Sequence, residues 1–189
     1  MPKDTKTTYE IRRSGLWSPV HTFSKDGKEL GKLAVTRNSW GLISAGTYSP
    51  EKGEVLYVRR DPGLLRSQFS LWTDGNEWLG SSLRWSFWRR EIVMHTGSRP
   101  LRVLPLSGFR AGWTLQAPKT GEMARIEGSL LGGSSTITVF RRLEFEVVVF
   151  SYFLGAMIQR ESVWPGPHVE APMPTASKAS KATPASTAS

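Results

Sequence analysis

Cysteine is absent from the 189 residues, which excludes a disulfide framework, a thiolate metal site and a thiol nucleophile. Histidine is scarce. His21, His95 and His168 stand far apart in three different contexts, so a three-histidine metal site is not expected, and His95, after Val93-Met94 at a strand end, reads as an ordinary surface residue. The Walker loop, Gly-x-Ser-x-Gly and His-Glu-x-x-His are all missing. Leu131-Gly132-Gly133-Ser134-Ser135 is glycine-rich but lacks the lysine and following helix that phosphate cradling requires, and it reads as a loop or hairpin end. No catalytic residue, metal ligand or cofactor is therefore assigned, and a non-enzymatic protein is expected. Met1 to Arg13 is polar and has no apolar stretch of the kind a signal peptide needs, so secretion is not expected and the cytoplasm is the expected compartment.

What is present points to β-structure. A hydrophobic content of 39% over this length suits one domain with its own core. Glycine-centred turns recur at Asp26-Gly27, Lys52-Gly53, Asp74-Gly75, Thr96-Gly97 and Thr120-Gly121, each flanked by apolar or alternating stretches. Tight hairpin turns need positive φ, which glycine adopts freely and aspartate tolerates, so these are hairpin signals. The segments between them alternate with period two and are rich in β-branched and aromatic residues, and roughly ten to twelve strands are expected. In Leu83 to Arg89, Leu83, Trp85 and Phe87 are expected on the buried face, with Arg84 and Ser86 pointing away. The turn followed by a glutamate at Asp26-Gly27 returns at Asp74-Gly75 and, more loosely, at Thr120-Gly121, and reads as repeated hairpins.

One segment differs. Leu143 to Arg160 contains no turn residue except Gly155, and its apolar part, Val147 to Ile158, falls below the roughly 20 residues that span a bilayer. A helix apolar on nearly every side is stable where surrounding structure removes each face from water, so the segment is expected as a buried core helix. A membrane anchor flanked by Arg141-Arg142 and Arg160 is the alternative, although Glu144 and Glu146 shorten the insertable span. The expected organisation is a polar N-terminal segment over 1–15, a barrel domain over 16–162 with its helix at 143–160, and a disordered Pro/Ala/Ser/Thr/Lys tail over 163–189.

Charge and aromatics bear on partners. The formal charge is +9, spread as Arg12-Arg13, Arg59-Arg60, Arg89-Arg90 and Arg141-Arg142 rather than as one polybasic run. It implies attraction to anionic partners without identifying one. Eight tryptophans suit core packing, while tryptophan beside arginine also suits a lipid headgroup layer or single-stranded nucleic acid. Arg59, Arg60, Trp88, Arg89 and Arg90 are the candidate lipid-binding residues.

A meander of about twelve short strands with Asp-Gly turns and a closing apolar helix resembles the tubby C-terminal-like superfamily, which includes LURP-one-related proteins and phospholipid scramblases. The local likeness lies in Gly112 to Ile126, similar to that family's late hairpin, and in Leu143 to Arg160, similar to its central helix. The resemblance implies a mainly β fold, a closed antiparallel barrel of about twelve strands threaded by the helix, and a membrane-proximal or phosphoinositide-linked role. The scramblase cysteine cluster and acidic calcium-loop pattern are absent here, so the resemblance does not carry scramblase activity. The expected function is a binding module for anionic phospholipid or phosphoinositide at an inner membrane surface, without a transmembrane span. A nucleic-acid-binding barrel is the alternative, and a hollow barrel carrying a small apolar ligand is a third.

Overall fold

The computed structural model describes residues 6–15, 20–37, 43–61, 68–84, 91–97, 99–106, 112–128 and 133–161, with helix side chains through Gly155. Twelve strands precede one helix: β1 (Thr7–Ser14), β2 (Val20–Lys25), β3 (Lys28–Arg37), β4 (Ile43–Pro50), β5 (Leu56–Arg60), β6 (Gln68–Thr73), β7 (Trp78–Leu83), β8 (Ile92–Thr96), β9 (Arg99–Pro105), β10 (Gly112–Ala117), β11 (Gly121–Gly128), β12 (Ser134–Val139) and α1 (Phe145–Glu161). Each strand pairs antiparallel with its neighbours in sequence, and β1 pairs with β12 from Thr7↔Val139 to Arg12↔Ser134, which closes the sheet into a barrel.

The five glycine turns read from sequence join β2–β3, β4–β5, β6–β7, β8–β9 and β10–β11, so all of them lie on one rim. Asp26 (φ 51°) and Gly27 (φ 76°) occupy the left-handed region in the first of them, the conformation that a two-residue hairpin requires. β12 also ends on this rim, and α1 therefore enters the barrel from the turn side.

The helix fills the lumen. Around the ring of twelve, β4 and β10 lie six places apart, and α1 touches both: Phe153 packs on Gly46 of β4, and Gly155 lies against the Trp113 indole of β10. Phe145 meets Tyr9 of β1 at 5.3 Å between ring centroids, and Phe153 meets Phe69 of β6 at 5.4 Å. Val147 to Gly155 are buried without interruption, more than two turns of helix with no face toward water. Strand side chains take the place that a second layer would have elsewhere, which is why an all-round apolar helix is stable here. Among the described residues no helix is long and apolar enough to cross a membrane. The helix and the inward strand residues occupy the lumen, the space that a hollow barrel would offer to cargo.

Two sequence expectations shift. β1 lies within the stretch assigned to a polar lead-in, so the barrel begins at Thr7, ahead of Leu16; the only fully buried side chain of β1 is Ile11, too little to signal a strand. The phase expected from Leu83 onward is also reversed at Leu83 and Arg84, while Trp85, Ser86 and Phe87 lie outside the described residues. Arg84 is buried at 4% exposure and Leu83 is half-buried, because the register with β6 shifts between Leu71 and Trp72 and makes Leu79 the extra residue of a bulge. Beyond the bulge Gly80 and Ser82 face the core opposite Leu71 and Phe69, and Leu83 turns outward.

Candidate functional site

Two faces of the barrel carry chemistry beyond packing. The first is the outer wall of β5, β6 and β7. Tyr57 pairs with Trp72 and Trp72 pairs with Trp78, so three aromatic side chains stand in a row across adjacent strands on the solvent side. Directly opposed residues share a face, with Cβ atoms about 5 Å apart. Trp78 is 43% exposed and is the exposed large hydrophobic residue among those described. Arg59, two residues after Tyr57 on the same face, holds its guanidinium 5.4 Å from the Tyr57 ring centroid. Tyr57 donates its hydroxyl to Asp74 Oδ1 at 3.2 Å, which ties the row to the β6–β7 turn and raises the phenol's pKa through that hydrogen bond.

Of the candidate residues read from sequence, Arg59 and Arg60 are exposed at the end of β5. Trp88, Arg89 and Arg90 lie outside the described residues. Sequence reading missed Tyr57, Trp72 and Trp78 as a group, although a signal existed: Trp72 and Trp78 flank the Asp74-Gly75 turn and so are placed to face each other across a hairpin.

The second face is the turn-side rim where α1 enters. A cleft of about 570 Å³ opens there between the first turn of α1 and the ends of β1, β3, β4 and β7. Leu30, Leu56, Leu79, Phe145 and Val147 give it an apolar lining, with Tyr9 and Tyr48 beside them. Lys25 and Lys52 stand on its margin with Glu54, Glu144 and Glu146. Tyr48 is 2% exposed, and its hydroxyl has no hydrogen-bond partner. Burial, then the carboxylates of Glu146, Glu29 and Glu51, push the Tyr48 phenol well above its ordinary range; burial and Glu146 do the same to Tyr9. Both phenols thus stay protonated.

A third polar feature lies within the core. His21 of β2 is 4% exposed, and its Nδ1 is 2.9 Å from the Tyr152 hydroxyl of α1. Burial, with Arg13 nearby, lowers the His21 pKa to about 4, so the ring is neutral and serves as a wall-to-helix link. His95 is exposed on β8, as expected of a surface residue.

No protein-family model matches the chain, and neither does any curated protein. Among solved structures, the X-ray structure of a protein from Arabidopsis thaliana is similar, with 15% identity over 78% of this chain and 88% of that chain and a TM-score of 0.51. Agreement of backbone at so low an identity is a likeness of fold: the chain shares the architecture of that Arabidopsis protein, a closed barrel with its helix.

Proposed function

We propose that this chain is a non-enzymatic binding module that associates with anionic phospholipid or phosphoinositide at an inner membrane surface. The observation that carries this reading is the outer wall of β5–β7, where Tyr57, Trp72 and Trp78 align and Arg59 sits over Tyr57. Tryptophan and tyrosine favour the headgroup layer because each ring has an apolar body and a polar edge. Arginine beside them attracts acidic headgroups, at about 1 kcal/mol per cation near the surface, and the net charge of +9 adds long-range attraction. The resemblance to the tubby-like superfamily supports the same direction.

Vesicle co-sedimentation tests it. Wild-type protein is expected to pellet with phosphatidylserine or phosphoinositide vesicles and not with neutral phosphatidylcholine. Arg59→Glu with Arg60→Glu should weaken this at least tenfold, and Trp78→Ala several-fold. Equal binding to neutral and acidic vesicles at low salt defeats the proposal. An aromatic row beside arginine also suits single-stranded nucleic acid, so a gel shift that persists where vesicle binding fails would favour that reading.

A further inference from the structure

Anionic phospholipids differ in whether their headgroup carries an ammonium beside the phosphate, and the charges on the outer wall bear on that difference. β5 runs from the turn-side rim to the opposite rim, so Arg59 and Arg60 stand exposed at the far end of the wall. Asp61, beside them, accepts the Ser70 hydroxyl at 2.6 Å. At the turn end stand Glu54, Asp74 and Glu77, all exposed, with Lys52 as the cation of the β4–β5 turn. The row of Tyr57, Trp72 and Trp78 runs between the two ends.

Tyr57 joins these ends. The Arg59 guanidinium is 5.4 Å from its ring centroid, and its hydroxyl donates to Asp74 Oδ1 at 3.2 Å, so one ring has a cation over its face and a carboxylate at its hydroxyl. Among the described residues neither Arg59 nor Asp74 belongs to an ion pair. An arginine and a carboxylate held apart by an aromatic ring match a ligand with an anion and a cation a few bonds from each other. The guanidinium suits the phosphate, through paired N–H donors. An ammonium is drawn both to a carboxylate and to the face of a tryptophan, and Trp78, 43% exposed, directly follows Glu77. A headgroup of hydroxyls alone offers Asp74 and Glu77 no cation, and its phosphate is only repelled by them. Resting on the membrane reading above, we infer that this wall selects, among anionic phospholipids, those whose headgroup carries an ammonium, phosphatidylserine above phosphatidylglycerol: Arg59 takes the phosphate, and Asp74, Glu77 and the Trp78 ring take the ammonium.

The test is co-sedimentation of the full chain with phosphatidylcholine vesicles that hold the same mole fraction of either phosphatidylserine or phosphatidylglycerol, lipids of equal net charge. Wild type should bind the phosphatidylserine vesicles about three- to tenfold more tightly. Asp74→Asn and Glu77→Gln each remove a carboxylate while keeping the shape of the side chain. Each should bring the ratio of the two affinities toward one without weakening binding to phosphatidylglycerol, whereas Arg59→Glu should weaken binding to both. Loss of general repulsion would instead raise both affinities alike and leave the ratio unchanged. Circular dichroism and a cooperative melt establish that each variant is folded, and Glu77→Gln carries the comparison where Asp74→Asn melts early. Equal affinity of wild type for the two vesicles, or a ratio that neither variant changes, overturns the inference and leaves the membrane reading standing. Failure to pellet with either vesicle defeats both.

Discussion

His21 shows how one residue ties stability to pH. Its ring is neutral in the fold with a pKa of about 4, whereas in the unfolded chain it titrates near 6.5. The folded value is the lower one, so as pH falls the unfolded chain takes up the proton first and the fold loses stability between about 6.5 and 4, with full stability above that window. From pH 7 to pH 5 the loss from this residue is about 2 kcal/mol. Urea denaturation at the two pH values should show it, and His21→Asn, which cannot titrate, should remove most of the difference; an unchanged pH dependence in that variant would place the effect elsewhere. Gly155 gives a second residue-scale prediction with an unusual sign. Glycine to alanine in a helix ordinarily stabilises by up to about 1 kcal/mol. Here a Cβ would run into the Trp113 indole, so Gly155→Ala should destabilise by about 2 kcal/mol or more, and adding Trp113→Phe should recover part of it. Additive losses in the double variant would show that the two residues are not coupled. Neither contact is visible in sequence, because His21 and Tyr152 are 131 positions apart and Gly155 meets Trp113 only across the lumen.

At the scale of elements, the hairpins and the helix were legible for different reasons. Each glycine turn marks itself, since positive φ is a local requirement that local residue type answers. The helix was legible by exclusion: Val147 to Ile158 is too short for a bilayer and too apolar for a surface, which leaves the interior. The strand phase at the end of β7 was not legible, because the bulge at Leu79 is set by pairing with β6 and fixes the orientation of Leu83 and Arg84 against the alternation read there from sequence. The element-scale prediction concerns α1. Phe150 and Leu154 are fully buried, so Phe150→Asp or Leu154→Asp places a charge without a partner in the core, a cost of several kcal/mol against a typical total of about 5–15 kcal/mol. Either variant should fail to fold, and truncation before Leu143 should do the same by emptying the barrel. A well-dispersed amide NMR spectrum from the truncated chain would refute the helix as core.

At the scale of the whole molecule, closure rests on β1 pairing with both β2 and β12. Removing residues 1–14 would leave β2 and β12 as open edges with unpaired backbone groups, the condition under which sheets associate edge to edge. The truncated chain is expected to aggregate or form dimers where the full chain does not under the same conditions, as size-exclusion chromatography with light scattering would report. A monomeric, cooperatively melting product would show that closure is dispensable. Closure also distributes function. The sequence places Arg59 and Arg60 near aromatic residues only loosely; pairing of β5, β6 and β7 is what brings Tyr57, Trp72 and Trp78 into one row beside Arg59.

By itself the sequence determined the class of structure and the form of the chain's punctuation: a mainly β barrel, five glycine hairpins, one interior helix and no thiol chemistry. These follow from local rules, in which turn geometry selects glycine and period-two patterning selects strands. Only the tertiary structure decided which side chains meet. The aromatic row on the outer wall, the buried His21–Tyr152 link and the cleft around Tyr48 each join residues from separate strands or from strand and helix. Their positions depend on register, on the bulge at Leu79 and on which rim the helix enters, and such relations arise from pairing and packing between distant segments rather than from residue type along one of them.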